Sequence, residues 1–168
     1  MHDLAWLNSL TAEEAAKELW QCCGSRRWAE LMSNDRPYST LAALLTHADL
    51  IWCTLTPSDW LEAFRSHPKI GEKKPRDKVS AQSQQWSGQE QAGVSSAPQA
   101  TVDSLAELNR AYEKKFGFIF IICATGKTSE EMLAALKERL QNDSDNELRL
   151  AATEQAKITA LRLKKLLT

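Results

Sequence analysis

The sequence has no long hydrophobic run and no excess of charge of one sign. Its longest apolar stretch, Phe116 to Ala124, is much shorter than the roughly 20 residues that a membrane-spanning helix needs. The formal net charge is −1, and acidic and basic residues are interleaved along the chain. A basic face that would attract nucleic acid or an anionic membrane is therefore not expected, and we predict that the protein binds neither.

Motifs for common metals and cofactors are also missing. The chain contains no glycine-rich phosphate loop, no serine nucleophile elbow and no His or Cys pair with metal-ligand spacing. The cysteines, two of them adjacent and two isolated, are typical of buried thiols in a reducing compartment. Because no such ligand pair is present, we expect no metal site. Since the first residues do not resemble a secretory signal, we expect a cytoplasmic location.

Apolar residues recur with a helical period along nearly the whole chain. The clearest case is Leu41 to Leu55, in a helix that we expect Ser39 to open. Only Phe118 to Cys123 has strand composition, and because it has no partner strand we interpret it as a buried extended piece or the start of a core helix. We predict an all-α fold, a single-domain helical bundle of about seven to nine helices over residues 1–168.

One polar stretch interrupts this pattern. Residues Gly71 to Gln85 contain few apolar side chains and are predicted to form an exposed loop or a lid. A short helix is predicted from Trp86 to Val94, followed by a break at Ser95 to Pro98.

His67 is the most informative of the three histidines. It lies just past a predicted helix end and immediately before Pro68, which favours an extended backbone at His67. A histidine with a pKa near neutrality suits general acid–base chemistry. A structural role as a helix-terminal cap is the alternative that the residues alone leave open.

Arg162 and Glu90 are two further candidates. In the last predicted helix, Arg162 falls about 40° from the line through Leu148 and Leu166, in the apolar stripe. Its guanidinium could form a salt bridge, extend toward water, or hold a substrate carboxylate or carbonyl. Glu90 lies in a polar cluster beside Trp86 and, by itself, also fits a solvated helix position.

Four ordered segments together resemble one known family, and they span most of the chain. They are His67–Gly71 and Ser87–Gly93, then Leu108-Asn109 with Tyr112 and Lys115–Ile121, and finally Glu147-Leu148 with Glu154, Lys157-Ile158 and Leu161–Leu163. The family is the 2-oxo-4-hydroxy-4-carboxy-5-ureidoimidazoline (OHCU) decarboxylases. The chain departs from the common family pattern at Lys69-Ile70-Gly71, where Lys69 adds a positive charge, and at Phe118-Ile119-Phe120.

The resemblance implies an all-helical, homodimeric carboxy-lyase without a cofactor. Its substrate would be the small anionic ureidoimidazoline, converted to (S)-allantoin in the last enzymatic step of urate degradation. The resemblance makes His67 the catalytic acid or base, with Glu90 and Arg162 as further catalytic residues. The residues that it assigns to substrate binding are Pro68, Ser87, Gly88, Gln89, Glu90, Gln91, Phe120, Ile121, Ile122, Cys123 and Ala124.

Three other interpretations fit parts of the sequence. A related ureide hydrolase or isomerase could use the same pocket. A helical binding module without catalysis would scatter His67, Glu90 and Arg162 over its surface, whereas a decarboxylase would bring them to one concave site. Finally, His67 and Arg162 could be structural and pair with acidic residues in the core.

Overall fold

The computed structural model describes residues 2–168, and within this range it contains nine α-helices, one 3₁₀ turn and no strand. The prediction of an all-α fold is therefore confirmed. The helices are α1 (Leu4–Ser9), α2 (Ala12–Cys23), α3 (Arg26–Asn34), α4 (Leu41–Thr54), α5 (Pro57–Arg65), α6 (Ala81–Glu90), α7 (Gln99–Phe116), α8 (Ser129–Arg139) and α9 (Ser144–Leu166), with the 3₁₀ turn at Ala92–Val94.

Two compact units make up the described chain. The first contains residues 2–63 together with Ala156–Thr168, and the second contains Phe64–Gln155. From residue 2 onward, no helix combines the length and the apolar composition that crossing a membrane requires.

Local signals fix most helix ends in the first unit. A reciprocal capping box between Thr11 and Glu14 precedes helix α2, and Gly24, whose φ of 86° suits glycine, caps its end after Cys23. The start predicted for α4 is wrong by one residue, because the side chain of Thr40, and not that of Ser39, accepts the hydrogen bond from the Ala43 amide.

The core of the first unit is built on large side chains without solvent exposure. Trp28 is fully buried, and its indole Nε1–H donates to the carbonyl of Ala48 at 3.1 Å. This bond satisfies the polar atom of a large buried ring and ties α3 to α4. The other fully buried apolar residues of this unit include Leu7, Leu19, Met32 and Leu44.

The second unit has a core of aliphatic and aromatic residues around Tyr112. The Tyr112 ring packs against Phe116, Phe118 and Phe120, with centroid distances of 4.6 to 5.8 Å. Gly117, with a φ of 80°, caps helix α7 after Phe116 and turns the chain back toward this core. Residues 119–124 are neither helix nor strand and are largely buried, so the interpretation of Phe118 to Cys123 as a core helix start is wrong.

The polar stretch after His67 is shorter than the sequence pattern predicts. Helix α6 begins at Ala81, so the loop prediction is wrong for residues 81–85. The Ser80 side chain caps this helix by accepting from the Ser83 amide at 3.1 Å. Because α6 has few apolar residues, its polar first turns gave no helical stripe that the sequence could reveal.

Candidate active site

His67 lies on the short turn that follows α5. The helix ends at Arg65, as the proline at position 68 requires, and the His67 amide donates to the Phe64 carbonyl at 3.1 Å. The ring is buried, with 7% of the residue exposed, and its Nε2 lies 2.7 Å from Oε1 of Gln155. His67 is therefore held from within the second unit, and its side chain is not an exposed helix cap.

The residues of the predicted segment Ser87–Gln91 that lie on helix α6 differ in their burial. Ser87 and Glu90 are one helical turn apart and buried, whereas Gly88 and Gln89 are exposed. The side chain of Gln91, at the end of α6, accepts a hydrogen bond from the Gly71 amide at 3.0 Å. Gln91 thereby holds the backbone that follows the His-Pro motif.

The buried segment from Phe120 to Ala124 is fixed by side chains of two helices. The Arg139 Nη1 donates to the Ile121 carbonyl at 2.5 Å, and the Cys123 amide donates to Glu154 Oε1 at 3.3 Å. Buried backbone polar groups need such partners when they lie outside a helix or strand. The segment that sequence resemblance assigns to substrate binding is therefore rigidly supported.

Arg139 belongs to a buried ionic network. Its guanidinium lies 2.5 Å from a Glu147 carboxylate oxygen, and it stacks over the Phe120 ring at 4.6 Å. Glu147 also accepts hydrogen bonds from the Tyr112 hydroxyl and, at 2.9 Å, from Asn142. Burial raises the pKa of Tyr112, and the hydrogen bond to the Glu147 carboxylate raises it further.

Negative charge and burial both act on the thiol of Cys123. Burial is the main cause that raises the pKa of Cys123, and the nearby Glu154 carboxylate adds to it. Glu90 contributes in the same direction, with a smaller effect. Cys123 is therefore a neutral thiol at physiological pH, and two carboxylates of the second unit, Glu90 and Glu154, lie in its surroundings.

Arg162 belongs to the first unit, on the C-terminal half of α9. It is 1% exposed, as its position in the apolar stripe indicates, and its Nη1 donates to the Gln21 carbonyl at 3.4 Å. Close by, burial raises the pKa of the Cys23 thiol to about 12, against a small lowering effect from the positive charge of Arg162. The burial of Arg162 excludes the alternative that its guanidinium extends toward water.

An open cleft of about 610 Å³ lies in the second unit. Its wall includes four of the predicted substrate-binding residues, Pro68, Ser87, Gly88 and Gln91, but neither His67 nor Glu90. Pro68 and helix α6 are therefore brought together around one concave surface. The Lys69 ammonium, a departure from the family pattern, pairs with Glu113 at 2.7 Å, so a carboxylate offsets its positive charge.

Sequence reasoning assigned no role to three residues that support this region, Glu147, Glu154 and Gln155, although the first two match the closing segment of the family. All three are buried polar residues of α9, and they recur with the spacing of its buried apolar side chains Ala151 and Ile158. Their position in the apolar stripe of α9 was the sequence signal that could have indicated their burial. Over residues 2–168, no group of three or more His, Cys, Asp or Glu side chains is arranged to hold a metal ion.

Comparisons with known proteins relate nearly the whole chain to one family. The sequence profile described as OHCU decarboxylase matches residues 8–164. The uric acid degradation bifunctional protein TTL of Arabidopsis thaliana is 44% identical over 92% of this chain and 48% of its own length. The OHCU decarboxylase of Mus musculus is 33% identical over 80% of this chain and 75% of its own length.

A solved structure supports the same assignment. The crystal structure of OHCU decarboxylase in the presence of (S)-allantoin has a TM-score of 0.78 and 41% identity, covering 90% of this chain and 97% of that chain. The chain spans only about half of the Arabidopsis relative and a third of two bifunctional relatives from Bacillus, at 48% and 32% of their lengths. By the profile match, the Mus musculus relative and this structural similarity, the chain belongs to the OHCU decarboxylase family.

Proposed function

We propose that the protein is a carboxy-lyase that converts 2-oxo-4-hydroxy-4-carboxy-5-ureidoimidazoline to (S)-allantoin in urate degradation. The observation that carries this proposal is the buried His67, hydrogen-bonded at 2.7 Å by Gln155 and followed by Pro68 in the wall of a cleft. A histidine held on a rigid support inside the protein suits controlled proton transfer to a small molecule.

The substrate supplies its own electron sink. Its carboxylate is attached to a carbon next to a ring C=N bond, so the electron pair of the breaking C–CO₂ bond can move into that bond. The protein then has to orient the carboxylate out of the ring plane and to manage protons. We therefore propose a reaction without a cofactor, and we expect full activity after dialysis against a chelator.

Each of the three proposed catalytic residues has a separate task. His67 exchanges a proton with the substrate hydroxyl or with the developing enol. Glu90, which is buried on α6, accepts hydrogen bonds from the ureido group, and Arg162 holds a substrate oxygen. Proton delivery from one side sets the handedness of the product, and the segment from Phe120 to Ala124 with Pro68 and residues 87–91 forms the binding surface.

Product analysis tests the proposal. The protein is mixed with freshly generated urate-oxidation product, and carbon dioxide and circular dichroism are followed together. A decarboxylase releases carbon dioxide while a signal of (S)-allantoin develops. A ureide hydrolase or isomerase would change the substrate without this pair of signals, and a binding module would leave the spontaneous time course unchanged; either result would contradict the proposal.

We further propose that residues 1–168 act as one domain, in the cytoplasm and as a homodimer. All four cysteines are free thiols, which fits a reducing compartment. The homodimer is what the resemblance to the OHCU decarboxylase family implies. Sedimentation should give twice the mass of one chain, whereas a single-chain mass at micromolar concentration would contradict the dimer.

A further inference from the structure

Gln155 is the partner of the proposed catalytic ring, although it belongs to none of the motifs that identified the family. It lies on α9 with no solvent exposure, 88 residues from His67 in the chain. Both residues are in the second unit, and the preceding residue, Glu154, holds the Cys123 amide. Two consecutive residues of one rigid helix thus hold the ring and the backbone of the proposed binding segment.

The chemistry of this contact fixes the proton on one ring nitrogen. An amide oxygen is only an acceptor, so a hydrogen bond from His67 Nε2 to Gln155 Oε1 requires hydrogen on Nε2. The neutral ring then carries its lone pair on Nδ1. Because Nε2–H is a donor in both the neutral and the protonated ring, the contact persists while a proton is gained or lost.

A neutral amide is also distinct from the carboxylate that orients a histidine in many active sites. A carboxylate would favour the protonated ring through its charge, whereas Gln155 orients the ring without adding charge. We propose that Gln155 is a positioning residue that fixes His67 in the Nε2–H tautomer, so that the proton exchanged with substrate moves at Nδ1. This inference rests on the proposed function of His67, but the tautomer can be measured independently of activity.

The test combines histidine nitrogen NMR with steady-state kinetics. The protein is labelled with ¹⁵N-histidine, the His67 signals are assigned from the H67N variant, and spectra are recorded where the ring is neutral. We expect a pyrrole-type Nε2 and a pyridine-type Nδ1 in the unmodified protein. A pyridine-type Nε2 in that protein would overturn the inference.

Three substitutions make the test specific. Q155L removes the acceptor, so the Nδ1–H tautomer should appear. The kcat should fall about 10- to 100-fold, as for loss of a residue that orients a functional histidine, with little change in KM. Q155E keeps an acceptor oxygen and should keep the Nε2–H signature. The exposed Q99L should match the unmodified protein in both measurements.

The outcomes separate the inference from the proposed function. If Q155L retains both the Nε2–H tautomer and full kcat, Gln155 does not position the ring. If Q155L fails to fold, the tautomer is measured in the unmodified protein and in Q155E. Loss of the Nε2–H signature in Q155E would then overturn the inference. If the unmodified protein has the expected tautomer but releases no carbon dioxide, the proposed function fails while the contact with Gln155 stands.

Discussion

The buried network around Glu147 allows one prediction to be worked out in detail. The carboxylate is 0% exposed and accepts from Arg139 Nε at 2.7 Å, from Asn142 at 2.9 Å and from the Tyr112 hydroxyl. Glu147→Leu removes the only carboxylate described in contact with Arg139 and leaves a guanidinium buried without its counter-charge. Breaking such a pair from one side typically costs about 3–5 kcal/mol of unfolding free energy, and we expect a loss in this range.

A double substitution distinguishes the cost of the unpaired charge from the net value of the pair. In Arg139→Met/Glu147→Leu neither charge of this pair remains, so the protein should be more stable than Glu147→Leu alone. It should still be less stable than the unmodified protein, because the Ile121 carbonyl loses the hydrogen bond from Arg139, a penalty of about 1–3 kcal/mol.

Urea unfolding, followed by far-UV circular dichroism and tryptophan fluorescence, provides the measurement. Glu138→Leu is the matched control, because Glu138 lies next to Arg139 on α8 but is exposed, and its replacement should change stability by no more than about 0.5 kcal/mol. A loss below about 1 kcal/mol for Glu147→Leu, the value of an exposed ion pair, would refute the reasoning.

The remaining predictions concern two glycines and the four cysteines. Gly93→Ala should destabilise the protein by about 1–3 kcal/mol, because a Cβ there would lie 2.2 Å from the Lys127 carbonyl oxygen. Gly88→Ala, on a helix with open space around the position, should stabilise the protein by about 0.5–1 kcal/mol. If urea unfolding gave the same change in unfolding free energy for the two variants, both predictions would be contradicted. The Cys23 thiol has a pKa of about 12 when folded against 9.0 as its ordinary value, so its contribution to stability is present below pH 9 and is lost toward pH 12. The contribution of this thiol to the slope of unfolding free energy against pH should reach at most about 1.4 kcal/mol per pH unit. For Cys23→Ala, the unfolding free energy should depend less on pH between pH 9 and pH 12. In the native protein an aromatic disulfide reagent should modify the exposed Cys53 rapidly and the three buried cysteines only on unfolding.

Features with local causes could be predicted from the sequence. The capping boxes at Thr11 and Thr128 act over three residues, and both begin helices in the structure. The end of α5 before Pro68 follows from the steric restriction on the preceding residue. The burial of Arg162 follows from helical spacing in the same way.

Features that depend on distant partners could not be predicted. The contact between His67 and Gln155 joins residues 88 positions apart, and no periodic pattern indicates which polar side chain meets which. The bond from Cys123 to Glu154 is of the same kind. Helix α6 was missed in part for another reason, since its first turns are polar and only the Ser80 cap marks their start.

The most direct test of the proposed mechanism is the enantiomeric composition of allantoin formed by the His67→Asn variant. The variant, the unmodified protein and a His47→Asn control are each given freshly generated urate-oxidation product; His47 is an exposed histidine of the first unit, paired with Asp35 at 3.4 Å. The account predicts an excess of (S)-allantoin with the unmodified protein and the control, and with His67→Asn only the spontaneous rate and its mixture of enantiomers. Rapid formation of (S)-allantoin in excess by His67→Asn would contradict it.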